Sequence, residues 1–169
     1  ALELAAARRA ACLGFVCQGW EDARAYAAAG EAVGAPVILS AGPGARANMP
    51  VRLWGEMFRE LAAGASVPVV AHLDHGRRLA ECEAALEAGF SSVMIDGSAL
   101  PLEDNIALTR AVCAAAQSRK SRDAKREGSK SRDRSTESWA QSGVPLCLAR
   151  IASAARRPAH DKSFSHTAW

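Results

Sequence analysis

Continuous apolar runs alternate with helical patterns four times over residues 1–116. Each run is apolar throughout rather than at every second position, which is typical of strands buried on both faces of a parallel sheet. A helix of ten or more residues follows each run, and parallel strands require such crossovers. The pattern therefore predicts an α/β protein built of βα units. The predicted strands are residues 12–17, 36–41, 67–71 and 92–95, and the predicted helices are residues 21–33, 50–63, 79–88 and 102–116, preceded by an N-terminal helix over 2–11.

Two parallel-sheet architectures share this pattern. The strand starts recur roughly every 24 to 31 residues, close to the repeat of a (β/α) barrel, although a doubly wound open sheet would show much the same spacing. The dinucleotide-binding version of the open sheet is disfavoured, because no GxGxxG follows the first strand. The 169 residues of the chain also fall short of the roughly 250 that are typical of a complete eight-stranded barrel.

The chain changes character after Ala116. Residues 117–142 contain eight basic residues and seven serines, with almost nothing apolar apart from Trp139. The net charge is −4 over residues 1–116 and +7 over residues 117–169. A segment with so little apolar surface is expected to be disordered. We therefore expect a domain over 1–116, a basic disordered segment over 117–142 and an unassigned tail over 143–169.

The cysteines and the hydropathy indicate a reducing, aqueous compartment. Five cysteines are scattered without CxxC spacing, which suggests neither a disulfide framework nor a zinc knuckle. No apolar run approaches the roughly 18 residues that a membrane span needs, and the start of the chain lacks the order of a signal peptide. We expect a soluble cytoplasmic protein without a membrane partner.

Polar side chains gather where the third and fourth predicted strands stop. They are His72, Asp74 and His75 after the third strand, and Asp96 and Ser98 after the fourth. The carboxyl ends of parallel strands share one face of the sheet, and ligands of α/β proteins bind there. Imidazole is a common zinc ligand, and a neighbouring carboxylate can transfer protons.

Each of these residues also has a structural interpretation. His72 could form a hydrogen bond in the core, Asp74 could cap the helix that begins near Arg78, and Asp96 could belong to a turn or a helix N-cap. Strict alternation places His72 and Asp74 on one face of the strand and His75 on the other. Using Asp74 together with His75 therefore requires the strand to end or twist, which Gly76 would permit.

The segments VPVVAHLDHG and GFSSVMIDGSALPLEDNI, together with APVILSAGPGA, strongly resemble the class II, zinc-dependent fructose- and tagatose-bisphosphate aldolases. The resemblance covers about residues 13–116. It implies a (β/α)₈ TIM-barrel fold that reversibly cleaves a ketose 1,6-bisphosphate to dihydroxyacetone phosphate and glyceraldehyde 3-phosphate. It also implies that Zn²⁺ acts as a Lewis acid on the oxygens of dihydroxyacetone phosphate, so that no lysine Schiff base is needed.

The resemblance assigns roles to three residues. Asp74 matches the acid/base that protonates the aldehyde oxygen, His75 matches a catalytic zinc ligand, and Asp96 matches a carboxylate at a secondary metal position. His72 belongs to the motif without a ligand role. The chain departs from the family where Val16 stands in place of an asparagine and Gly42 in place of a serine or threonine.

The family's later zinc histidines and phosphate loops are not recognisable after Ala116. We therefore expect about four βα units of the barrel, weak or no zinc binding and impaired cleavage. The open sheet edges lead us to expect either a homo-oligomer that covers them or poor solubility. One alternative is a non-catalytic relic that binds a sugar phosphate or a protein. A further alternative makes residues 117–142 an arm for nucleic acid, although that segment lacks the interleaved aromatic residues that stack on bases.

Overall fold

The computed structural model describes residues 6–7, 9–129 and 146–150, with side chains as far as residue 123. Five parallel strands form one sheet in the order β1-β2-β3-β4-β5, and helices connect the first four strands. The elements in chain order are β1 (Leu13–Val16), α1 (Trp20–Val33), β2 (Val37–Ala41), α2 (Pro43–Asn48), α3 (Val51–Gly64), β3 (Val69–Gly76), α4 (Leu79–Glu87), β4 (Ser92–Asp96), α5 (Leu102–Ser129) and β5 (Leu146–Arg150).

The strand order separates the two predicted architectures. Each strand pairs with the next strand along the chain, with Leu13 opposite Val37 and Val37 opposite Val69. A doubly wound sheet would reverse its order at a switch point, whereas a (β/α) barrel keeps the order of the chain. The protein is α/β, and its sheet is of the (β/α) barrel type.

The predicted strands and crossover helices are present, and four differences exceed a single residue at an element boundary. The strand predicted over 67–71 runs from Val69 to Gly76, so that its polar cluster lies inside the strand. A short helix that was not predicted, α2, begins after Gly42 and has Pro43 in its first turn. The helix predicted to end at Ala116 continues to Ser129, and β5 extends the sheet where no further strand was expected.

The longer α5 has a local cause. Residues 117–129 are rich in Arg, Lys and Ser, and the first two are good helix formers. Arg119 also donates to the carboxylate of Asp123 one turn later, at 2.9 Å. Residues 130–142 of the predicted disordered segment and most of the predicted helix over 2–11 lie outside the described residues.

The core lies between the sheet and the helices. Leu39, Leu73 and Val93 are fully buried on three neighbouring strands, and Trp54 and Phe58 of α3 cover them. The indole of Trp54 donates to the carbonyl of Ala45, at 3.2 Å, and so ties α3 to α2. None of the helices in the described part of the chain has an apolar stretch long enough to cross a bilayer.

Candidate active site

The end of β3 is a β-bulge. Leu73 pairs with Val93 and Gly76 pairs with Ile95, so β3 uses one more residue than β4 over the same interval. Within it, His75 has φ of 51°, a left-handed conformation that is uncommon outside glycine. The bulge changes the direction of His75, which strict alternation would place on the face opposite to Asp74. The twist that we expected from Gly76 is therefore made by His75 itself.

Gly76 is required for close packing rather than for an unusual backbone conformation. A Cβ atom there would stand 3.1 Å from each of three atoms, the Sγ of Cys82, the Cδ2 of Leu73 and the carbonyl oxygen of Met94. The bulge thus packs closely against α4 and β4. Only a residue without a side chain fits at this point without movement of its neighbours.

The imidazole of His75 lies between two carboxylates. Its Nδ1 is 2.7 Å from Oδ2 of Asp96, and its Nε2 is 3.8 Å from Oδ1 of Asp74. An ionised carboxylate only accepts hydrogen bonds, so Nδ1 carries the proton and donates it to Asp96. In the neutral form of the imidazole, this tautomer would place the lone pair of Nε2 on the side of Asp74. A carboxylate on one ring nitrogen is the usual way in which proteins orient a metal-binding histidine.

Asp96 is kept ionised by its surroundings. Its pKa lies well below the usual range because the hydroxyl of Ser98, then the imidazole of His75, and then the backbone N–H of Ser98 donate to the carboxylate. The backbone N–H of Ser98 lies 3.1 Å from Oδ1, which makes a local turn after β4. The predicted turn role of Asp96 is thus present together with its contact to the candidate site.

His72 takes the structural role that the sequence left open. It is buried, and its Nδ1 is hydrogen-bonded to the hydroxyl of Ser92 at 2.8 Å. Burial lowers its pKa, the charge of Asp74 opposes that shift and the charge of His75 adds to it. The imidazole of His72 is therefore kept neutral inside the fold.

Asp74 faces the ends of β1 and β2. Its Oδ2 would lie 3.8 Å from a Cβ atom at Gly42, and the same Cβ would lie 3.9 Å from Cγ1 of Val16. The side chain of Asp74 is 24% exposed, so its carboxylate is accessible. The capping alternative for Asp74 is wrong, because the N-cap residue of α4 is Arg78.

Arg46 is a residue of this region that the sequence analysis missed. Its guanidinium donates to the carbonyls of Asp74 and His75 at 2.6 and 3.3 Å. Nothing in the sequence marks it, because the contact joins α2 to a strand end 28 residues away. Only the parallel pairing of β2 with β3 brings the two segments together.

The donor set fits zinc in part. His75 offers a free Nε2, and Asp74 and Asp96 are carboxylates beside it. Within the described ranges, no group of three or more His, Cys, Asp and Glu side chains is arranged to hold a metal ion. The predicted metal residues His75 and Asp96 are brought together by the fold, but as hydrogen-bonding partners.

Comparison with known proteins gives consistent matches. The family model described as fructose-bisphosphate aldolase class-II matches residues 1–122. A fructose-bisphosphate aldolase of Treponema pallidum is 47% identical over 89 residues, which are 50% of this chain and 27% of that protein. A 6-phospho-5-dehydro-2-deoxy-D-gluconate aldolase of Halalkalibacterium halodurans is 59% identical over 54 residues, or 32% of this chain and 19% of that protein.

A solved structure shares the fold. The YdjI aldolase from Escherichia coli K12 superposes with a TM-score of 0.61 and 33% sequence identity, over 65% of this chain and 42% of that chain. The present chain thus matches less than half of the length of each of these relatives.

Proposed function

Because the chain belongs to the class-II fructose-bisphosphate aldolase family, we propose that it takes part in the reversible, zinc-dependent cleavage of fructose or tagatose 1,6-bisphosphate. The products would be dihydroxyacetone phosphate and glyceraldehyde 3-phosphate. The observation that carries this proposal is the hydrogen bond of 2.7 Å between His75 and Asp96 beside the accessible carboxylate of Asp74. It supplies an oriented imidazole and a proton-transfer group on one edge of the sheet.

Asp74 would move the proton. In the cleavage direction its carboxylate accepts the proton of the hydroxyl whose carbon becomes the aldehyde, while the carbon–carbon bond breaks. In the condensation direction it returns that proton to the aldehyde oxygen. The exposure of Asp74 and the space above Gly42 leave room for a substrate hydroxyl at Oδ2.

His75 and Asp96 would form part of the zinc site. His75 would bind zinc through Nε2, while Asp96 would hold Nδ1 and contribute negative charge near the ion. Bound zinc supplies a Lewis acid for the ketose carbonyl. Catalytic zinc sites usually have three protein ligands, and the described residues supply one imidazole, so we expect weaker zinc binding and slower cleavage than in a complete site.

A second substrate is suggested by the sequence matches. The relative that is 59% identical over 54 residues is named for 6-phospho-5-dehydro-2-deoxy-D-gluconate. On the side of β1 and β2, the residues next to Asp74 are Val16 and Gly42, which carry no polar side chain. An apolar neighbourhood of this kind suits a substrate with fewer hydroxyl groups. In either case the partner of the site is a phosphorylated sugar or sugar acid.

We place this reaction in the cytoplasm. Cys12, Cys17, Cys82 and Cys113 are free thiols, which supports a reducing compartment. Burial raises the pKa of the Cys17 thiol to about 11 and that of the Cys82 thiol to about 11 as well. Both side chains therefore stay protonated and inert at neutral pH.

Zinc titration of the full chain and two histidine variants tests the proposal. Calorimetry should show zinc binding by the wild type, loss of that binding in His75→Ala, and retention in His72→Ala, the matched control from the same strand. Cleavage of the three candidate substrates should require zinc and fail in His75→Ala. Equal zinc affinity in the wild type and His75→Ala would overturn the metal assignment. Binding of sugar phosphates without any cleavage would favour the non-catalytic alternative over the proposed reaction.

A further inference from the structure

Arg46 reaches from α2 to the bulge of β3. Its Nη1 donates to the carbonyl of Ala41 at 2.5 Å and to that of Asp74 at 2.6 Å, and its Nη2 donates to the carbonyl of His75 at 3.3 Å. The side chain is only 13% exposed. A single partly buried guanidinium therefore binds the last carbonyl of β2 and two consecutive carbonyls of the bulge.

These carbonyls lie where the strand pairing is interrupted. The register of β2 with β3 ends at Ala41 opposite Leu73, and the register of β3 with β4 shifts between Leu73 and Gly76. Backbone carbonyls that leave a sheet ladder inside a fold need another donor. Arg46 provides that donor for both Asp74 and His75.

The charge of Arg46 is balanced from α4. The carboxylate of Glu81 lies 3.8 Å from Nη2, and it also accepts from the backbone N–H of Arg77 at 3.0 Å. Burial lowers the pKa of Arg46, and the charges of Glu81 and Asp74 oppose that shift. A guanidinium remains protonated in proteins, so Arg46 acts as a fixed cation that joins β2, β3 and α4.

The bulge needs such support, because a left-handed backbone is unfavourable for histidine and persists only where its surroundings hold it. The geometry points to Arg46 as a positioning residue, which holds the backbone of Asp74 and His75 and thereby fixes how the carboxylate faces the imidazole. The roles of those two side chains rest on the proposed function. The backbone restraint does not depend on it.

Arginine variants of the full chain test this inference, with Arg59 as the matched control. Arg59 also donates from Nη2 to a backbone carbonyl, that of Ala88 at 2.9 Å, at the end of α4. The variants are Arg46→Ala, Arg46→Lys, Arg59→Ala and Arg59→Lys. The readouts are the three-bond coupling between the amide and α protons of His75, which reports its φ angle, and zinc affinity by calorimetry.

We expect the His75 coupling in Arg46→Ala to move to the value of an extended residue, and zinc affinity to fall about 10- to 100-fold. Arg46→Lys should fall between wild type and Arg46→Ala, because one ammonium cannot reproduce the planar fork. Free guanidinium at non-denaturing concentration should restore the coupling in Arg46→Ala. Arg59→Ala and Arg59→Lys should leave the His75 coupling and the zinc affinity unchanged.

An unchanged His75 coupling in both Arg46 variants would overturn the inference, as would an equal change in the Arg59 pair. If Arg46→Ala does not fold, the coupling in Arg46→Lys decides. If the wild type binds no zinc, the metal assignment fails, while the coupling still tests the positioning role. The two failures are therefore distinguishable.

Discussion

The carboxyl ends of β1 and β2 differ sharply from those of β3 and β4, although all four lie on one edge of the sheet. On the β3 and β4 side, His75 is hydrogen-bonded to Asp96 at 2.7 Å and lies 3.8 Å from the carboxylate of Asp74. On the β1 and β2 side, Val16 and Gly42 offer no polar side chain. The polar half carries the candidate chemistry, and the other half leaves space beside it.

The two halves nevertheless depend on each other. The short helix that follows Gly42 presents Arg46, which binds the backbone of the polar half. The helix that follows β2 thus supports the end of β3, where Asp74 and His75 lie. The lesson is that the residues that shape a site need not share the chemistry of the residues that act in it.

The largest expected difference between the two sides of the sheet edge is in the cleavage rate, which depends on proton transfer by Asp74. Asp74→Asn should lower the cleavage rate by about 10²- to 10⁴-fold, because a positioned acid/base contributes that much. Asp22→Asn is the control, since Asp22 accepts a hydrogen bond at 2.9 Å from the backbone of Gln18 at the end of β1. Its rate should stay at the wild-type value. Similar losses of cleavage rate in both variants, measured at saturating zinc, would show that Asp74 has no special role in proton transfer.

Asp96→Ala should produce the next largest effect. It removes the acceptor of His75 and Ser98, and hydrogen bonds to a charged group contribute about 1.5 to 3 kcal/mol each. We expect the free energy of unfolding in urea to fall by at least about 2 kcal/mol, since the two hydrogen bonds are lost together. Asp104→Ala, at an exposed carboxylate in the first turn of α5, should cost at most about 1 kcal/mol. Equal losses would show that Asp96 acts only as an ordinary surface charge.

A pair of glycine variants compares the packing of the two halves. Gly76→Ala places a Cβ atom 3.1 Å from three neighbours and should cost about 1 to 3 kcal/mol of unfolding free energy. Gly42→Ala meets its nearest atoms only at 3.8 and 3.9 Å and should change stability by no more than about 0.5 kcal/mol. Thermal unfolding of both proteins would measure the difference. If Gly76→Ala were as stable as the wild type, the bulge would be less tightly packed than these distances indicate.

The smallest expected effect is a pH dependence within β3. Burial lowers the pKa of His72 below the roughly 6.5 of an unfolded histidine, so the unfolded chain takes up the proton first as the pH falls. The contribution of neutral His72 to stability is therefore complete above about pH 6.5 and declines as the pH falls through its folded pKa. Urea unfolding at several pH values should show a shallower slope in His72→Asn than in the wild type. Identical slopes would show that His72 is not held neutral.

The sequence predicted the βα order well, because apolar periodicity and crossover length are local properties. It also placed Asp74, His75 and Asp96 on a common edge, since the ends of parallel strands must meet there. It could not predict that His75 adopts the left-handed conformation, because the register shift against β4 arises only when the two strands pair. Arg46 was missed for the same reason.

The two histidines of β3 show where sequence reasoning stops. His72 follows the apolar start of β3 and His75 follows Asp74 directly. His72 is hydrogen-bonded to Ser92 inside the fold, whereas His75 is hydrogen-bonded to Asp96 at the edge. A core role and a site role for His72 could be distinguished only by knowing which residue of β4 lies opposite His72. His72 pairs with Ser92 in the register, and no local pattern encodes that pairing.

The sequential order of the strands has a consequence for folding during synthesis. Because each strand pairs with the one made just before it, every new strand finds its partner already present when it leaves the ribosome. Each pairing closes only one crossover, so the entropic cost of loop closure stays small at each step. Arg46, Asp74, His75 and Asp96 can therefore meet once β4 has emerged. Ribosome-arrested chains that expose residues up to Ser98 should protect the amide protons of β2 and β3 before any later segment is made.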